Sequence, residues 1–101
     1  VVGADANPYL VMAGILGAAL VGIRNKWEPP APVSGRAYQS QLPRIPSEWG
    51  SAVTAFENGS IVSEIFDQDL RSMLIACKRQ EIAGFAEQVT DFEFSAYLEI
   101  V

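Results

Sequence analysis

Asp67 and Asp69 stand one residue apart, the closest this chain comes to a pair of metal ligands. A hard divalent cation takes six or more oxygens, so two carboxylates need several more donors. The pair reads better as a helix cap followed by a first-turn acid. The single Cys77 would need a base or a positive neighbour to become a nucleophile. The chain has no histidine, so the commonest general base and commonest metal ligand are both absent. Cys77 therefore reads as a small buried hydrophobe. Trp27 and Trp49 read as packing anchors rather than a ligand platform. Tyr38, among small and polar residues, is an exposed phenol open to modification or simply a loop tyrosine. Gly3, Gly14, Gly17 and Gly22 sit before or inside a helix and spell no phosphate-binding loop. No catalytic, cofactor-binding or metal-binding residue emerges, and the expectation is none in this chain.

The elements that would position any chemistry come next. The 101 residues suffice for one small domain, yet 50% are hydrophobic and 19% charged. A chain this short buries only about 60–65% of its unfolded surface, so much apolar area should meet another domain or subunit. A net charge of −5 gives no basic patch for nucleic acid. One cysteine cannot form an internal disulfide, which fits a reducing cytoplasm.

Residues 7–26, NPYLVMAGILGAALVGIRNK, begin with a capping Asn7 and a first-turn Pro8. Tyr9 to Ile23 carries no charge, but a membrane span needs about 20 apolar residues. Asp5 before the run and Arg24 and Lys26 after it suit the dipole of a soluble, buried helix. Gly14, Ala18 and Gly22 repeat at i+4, with Ala13 and Gly17 beside them. Such a smooth stripe predicts that another backbone approaches closely, because each mid-helix glycine costs about 1 kcal/mol against alanine.

Residues 27–46 hold five of the six prolines and predict an extended connector. Ser47 is the expected cap of a short helix with Trp49, Ala52, Val53 and Phe56 on one face, ended by Asn58-Gly59. Ser60 opens a further turn carrying Ile61, Val62, Ile65 and Phe66. Asp67 caps the longest helix, whose predicted core stripe is Leu70, Met73, Leu74, Cys77, Glu81, Phe85 and Val89. Arg71, Lys78, Arg79, Glu87 and Gln88 are expected mostly in water. Thr90 and Glu93 form a capping box for a last helix with Phe94, Tyr97, Leu98 and Val101 on its apolar face.

The stretch GADANPYLVMAGILGAALVGIRNKWEPP also resembles the sequence that follows the active-site strand of the glutamine synthetase family. Members carry a segment close to ANPYL, then small and apolar residues, then a G-I-x-N-K-x-x-P-P ending. The order of later features is similar too: Leu42-Pro43, the SEWGSAVTAFENG helix, Ala76-Cys77-Lys78-Arg79, and Thr90 to Leu98 as T-D-x-E-x-x-x-Y-L. The resemblance spans essentially all 101 residues. The GAD before ANPYL is closer to the γ-glutamylpolyamine synthetase-like branch than to ammonia-using members, which more often read DPAANPYL.

The resemblance implies a mostly α fold: about four to five helices with a proline-rich connector, the C-terminal helical segment of a larger α+β catalytic domain. It implies an ATP-dependent ligase joining the γ-carboxylate of glutamate to ammonia or another amine, with Mg²⁺ or Mn²⁺ assisting in the whole enzyme. In the family, Val1 and Val2 would fall just beyond an E-x-R strand whose glutamate binds metal and whose arginine binds phosphate or substrate. The other metal carboxylates and the nucleotide pocket lie upstream, so the family's catalytic residues match no position here. The implied partners are the N-terminal and catalytic part of the same enzyme, and further copies in a stacked-ring dodecamer. Phe92, Phe94, Tyr97, Leu98 and Val101 would reach a neighbouring subunit. Neither nucleic acid nor membrane is implied, and the location is cytoplasmic. Some relatives carry an adenylylated tyrosine near N-L-Y-D-L-P. Here Tyr38 stands two residues further from Leu42-Pro43 and is followed by Gln39, a departure that counts against modification. Two alternatives come from the residues alone: a free-standing helical interaction module, and a small membrane-associated protein using residues 9–23.

Overall fold

Three of this chain's helices start at a residue whose side chain caps them. The structure, a computed structural model, describes residues 3–36, 42–98 and 100. Five α-helices follow one another: α1 (Pro8–Arg24), α2 (Trp49–Asn58), α3 (Ser60–Ile65), α4 (Gln68–Ala86) and α5 (Asp91–Tyr97). Among the described residues there is no strand. The mostly helical fold is the expected one.

Asn7 caps α1 as expected, its Oδ1 accepting from the Tyr9 and Leu10 amides at 3.0 and 3.3 Å. At the other end the Trp27 N–H donates to the Gly22 carbonyl at 3.0 Å and the Lys26 N–H to Ile23 at 3.2 Å. Those are the two bonds of a Schellman ending. Lys26 supplies its left-handed residue, with φ 51°. From Trp27 to Arg36 and from Leu42 to Pro46 the described connector has neither helix nor strand. Tyr38, with residues 37–41, lies outside the described residues.

Ser47 does not cap α2. The helix starts one residue later than that cap requires, with Glu48 at the cap position and no side-chain bond to the first turn. Asp67 caps α4, its carboxylate accepting from the Leu70 amide at 2.9 Å. Thr90 and Glu93 form the predicted capping box on α5.

This box has a pH dependence. The Thr90 N–H and then the Thr90 hydroxyl, both donating to Glu93, hold its carboxyl below the ordinary 4.5. A depressed acid stabilises the fold above its unfolded pKa and loses that contribution as pH falls through the lower folded value. Helicity of residues 91–97, followed by NMR chemical shifts, should therefore hold above 4.5 and drop below it. In Thr90→Ala the α5 helicity should be lower throughout and this acid step smaller, since only the hydroxyl is lost and the residue-90 N–H still donates to Glu93.

Packing is sparse. α1 lies mainly against α3, and α2 mainly against α4. Among the described residues only Val21 and Val53 are buried. The accessible surface is 9088 Å², where a compact monomer of this mass exposes about 5,600 Å². The radius of gyration is 18.2 Å against about 13 Å for a compact chain of this length. The excess is apolar: Met12, Leu16, Leu20 and Ile23 are all exposed along one side of α1, with Phe92, Phe94, Tyr97 and Leu98 exposed on and beside α5.

Two expected faces are turned. On α1, Gly14 and Gly17 face into the chain, and a Cβ on Gly17 would run into Ile65 of α3, 2.9 Å from its Cγ1. Ala18 is exposed. The close backbone approach is thus real, but its seat is Gly17 rather than Ala18, and its partner belongs to this chain. On α4, Leu70 and Leu74 are half-buried as expected, whereas Met73, Cys77 and Phe85 are exposed, as is Val89, which lies past the helix end at Ala86. Arg71, Ile75 and Ile82 take their place.

Candidate functional site

Three helices leave an apolar groove between them. The start of α1 gives Leu10 and Val11, α2 gives Trp49 and Phe56, and α4 gives Leu74. The groove holds about 850 Å³. Phe66, just past α3, closes its floor against Phe56, ring centres 6.0 Å apart and tilted by 43°. The rim carries one ion pair, Lys78 Nζ to Glu81 at 2.7 Å, with the same ammonium 6.0 Å from the Trp49 ring centre. A cation over an indole gains modestly at an exposed site, about 0.5–1 kcal/mol. The walls are apolar, Lys78 and Glu81 neutralise each other, and Asp5 adds a carboxylate at the mouth, so the groove suits an apolar chain or ligand without negative charge. These residues offer no acid, base or nucleophile poised against another group.

The residues with chemical potential are dispersed. Asp67 is occupied as a helix cap, and Asp69 lies in the first turn of α4. Among the described residues no three or more His, Cys, Asp or Glu gather to hold a metal ion. Among the described residues, then, no cluster of side chains offers Mg²⁺ or Mn²⁺ a ligand set. Cys77 is not the buried hydrophobe its spacing predicted; it is exposed and lines the groove. α4 packs on α2 with Leu74 and Ile75 half-buried and Cys77 exposed. Trp27 packs beside Gly22 and Trp49 forms a groove wall, so both serve packing although each stays about half exposed.

One constellation escaped the sequence. Arg71 and Arg79, two turns apart on α4, both engage Glu57 at the end of α2. Arg71 donates to the Glu57 carbonyl at 3.1 Å, and Arg79 pairs with its carboxylate. α2 has no basic residue of its own in its last turn, so Arg71 supplies the missing complement to its C-terminal dipole. The Arg71 Nε is buried without a hydrogen-bond partner. These partners lie 14 and 22 residues apart, beyond any local spacing rule.

No helix among the described residues is long and apolar enough to cross a membrane. No solved structure matches the chain. Residues 1–97 match the family model described as glutamine synthetase, catalytic domain. A γ-glutamylethanolamide synthetase of Streptomyces coelicolor is 32% identical over 96% of this chain and 21% of its own length. A glutamate–isopropylamine ligase of a Pseudomonas species is 33% identical over 98% of this chain and 22% of its own length. A type-1 glutamine synthetase of Dictyostelium discoideum is 28% identical over the whole chain and 20% of its own length. The chain spans about a fifth of the length of these relatives. Identity is higher to the two amine ligases than to the glutamine synthetase, in line with the branch expected from GAD before ANPYL. By these matches and by its helical fold, the chain belongs to the glutamine synthetase family.

Proposed function

We propose that residues 1–101 form the C-terminal helical portion of the catalytic domain of a cytoplasmic, ATP-dependent ligase that joins the γ-carboxylate of glutamate to an amine. In the whole enzyme ATP would phosphorylate that carboxylate, and the amine would displace phosphate to give a γ-amide. This portion contributes surface rather than catalytic groups: α1 and the groove back the catalytic body, while Phe92, Phe94, Tyr97 and Leu98 reach a neighbouring subunit of a homo-oligomer. The observation that carries the proposal is a catalytic-domain match over residues 1–97 on a helical array that leaves 9088 Å² exposed. An amine larger than ammonia is favoured by the higher identity to the ethanolamine and isopropylamine ligases. The free-standing interaction module accounts for the apolar surface but not for the family match.

Two assays test it. Residues 1–101 alone, with ATP, glutamate, Mg²⁺ and a panel of amines, should release no phosphate above a heat-killed control. Release above that control would overturn the structural role. Grafting residues 1–101 in place of the matching fifth of the Streptomyces enzyme should restore amine-dependent phosphate release to an otherwise inactive truncation. A chimera that assembles yet stays inactive with every amine, ammonia included, would overturn the ligase reading.

A further inference from the structure

We propose that Asn58 is a self-modifying residue, whose side-chain amide becomes a carboxylate through attack by the Gly59 main-chain nitrogen. The inference stands on the junction of α2 and α3 and does not depend on the ligase reading. The chain has three asparagines, and two of them are tied. Asn7 accepts from the Tyr9 and Leu10 amides and precedes Pro8, whose nitrogen carries no hydrogen and cannot attack. Asn25 donates to the Val21 carbonyl at 2.9 Å, and the Lys26 N–H that follows is bonded to Ile23. No such bond among the described residues holds Asn58, which is exposed at the last position of α2. Its successor is glycine, so no Cβ shields the attacking nitrogen. That nitrogen is also idle. After α1, α3, α4 and α5 the cap N–H donates four residues back, to Val21, Val62, Ala83 and Phe94. The Gly59 N–H that follows α2 makes no such bond among the described residues.

The step needs only water as co-reactant. The Gly59 nitrogen bonds to the Asn58 side-chain carbonyl carbon and gives its proton to hydroxide. The side-chain nitrogen takes a proton from water, which restores the hydroxide, and leaves as ammonia. A cyclic imide remains, and water opens it at either carbonyl. One opening gives aspartate; the other gives isoaspartate, with the side-chain carbon drawn into the main chain. A helical backbone aims the Gly59 nitrogen along the axis and away from the Asn58 side chain, so attack requires the last turn of α2 to open. Arg71 and Arg79 hold that turn through the carbonyl and carboxylate of the adjacent Glu57. These arginines therefore set how often Asn58 becomes reactive. Once formed, a carboxylate at residue 58 sits at the negative end of the α2 dipole and weakens the helix terminus.

Peptide mass spectrometry on the full-length protein that carries these residues tests the proposal. The tryptic peptide Ile45–Arg71 contains Asn58 and no other asparagine. On incubation at mildly alkaline pH it should gain about one mass unit, as the side-chain NH₂ gives way to OH. Isoaspartate should accompany aspartate in the product. The rate should lie on the order of 10- to 100-fold below that of the synthetic peptide Ile45–Arg71, as for a group reached through local opening. Asn7 and Asn25 should remain amides over the same time. Arg79→Ala should speed the change about 2- to 5-fold, the worth of an exposed ion pair. Arg79→Lys, which keeps a cation for Glu57, should return the rate toward that of the unsubstituted protein. An Asn58 rate no higher than that of Asn25 would overturn the proposal. Aspartate without isoaspartate would mean direct hydrolysis of the side chain and would overturn the cyclic route. An Arg79→Ala rate equal to that of the unsubstituted protein would overturn the control by Glu57. None of these readouts needs turnover, so failure of the ligase assays leaves them intact.

Discussion

Gly17→Val should lower the stability of the chain by about 3 kcal/mol, the upper part of the range for overpacking. A Cβ built on Gly17 meets the branched Ile65 side chain, 2.9 Å from its Cγ1 and closer still to its Cγ2. Both contact atoms sit one bond from the Ile65 Cβ, so they cannot swing aside as the tip of a longer side chain would. Relief requires α1 and α3 to separate. That contact is the main support of α1, and Val21, on the same face of α1, is one of only two buried among the described residues. Gly84→Ala is the matched control. It sits inside α4 and an added Cβ would meet nothing within 4 Å. Only helix propensity acts there, and it should raise stability by about 1 kcal/mol. Urea titration of both variants decides the matter. A Gly17→Val midpoint equal to or above that of the unsubstituted chain would mean that α1 and α3 do not meet in solution as described.

Leu16→Glu should separate what this chain needs from what the longer enzyme needs. Leu16 is 61% exposed, in a row with Met12, Leu20 and Ile23 on the side of α1 turned away from α3. In residues 1–101 a carboxylate there stays in water, and stability should move by no more than about 0.5 kcal/mol. Aggregation should decrease, because a charge now interrupts the apolar row. In the longer protein, where this face is proposed to be covered, the same carboxylate becomes an unpaired buried charge. The loss should then be about 3–5 kcal/mol. Thermal melts of both proteins with and without the substitution supply the comparison. A small loss in both would show the outer face of α1 to be open in the whole enzyme, and the proposed packing against the catalytic body would fall.

What the sequence determined by itself was most of what residues a few positions apart govern, the cap position of α2, Glu48 rather than Ser47, being the exception. Asn7 with Pro8, Asp67, and Thr90 with Glu93 each sit beside the amides they satisfy, so the starts of α1, α4 and α5 follow from local chemistry. The proline spacing likewise keeps helix and strand out of the described connector. The family was legible from the ordered motifs that run from GADANPYL to Thr90 and Leu98.

The direction each helix faces was decided only by the tertiary structure. α1 is apolar on nearly every side, so its pattern names no single inward face, and a glycine at 17 or an alanine at 18 looks equally able to receive a neighbour. Contact with Ile65 chose Gly17. α4 alternates apolar and charged residues over much of its length, and a small rotation exchanges Cys77 and Phe85 for Arg71 and Ile75. The bonds from Arg71 and Arg79 to Glu57 help fix that rotation. Those partners are brought together only when α2 folds back on α4. A helix's ends depend on hydrogen bonds within one turn, whereas its orientation depends on which surface it meets, and that surface comes from elsewhere in the polypeptide.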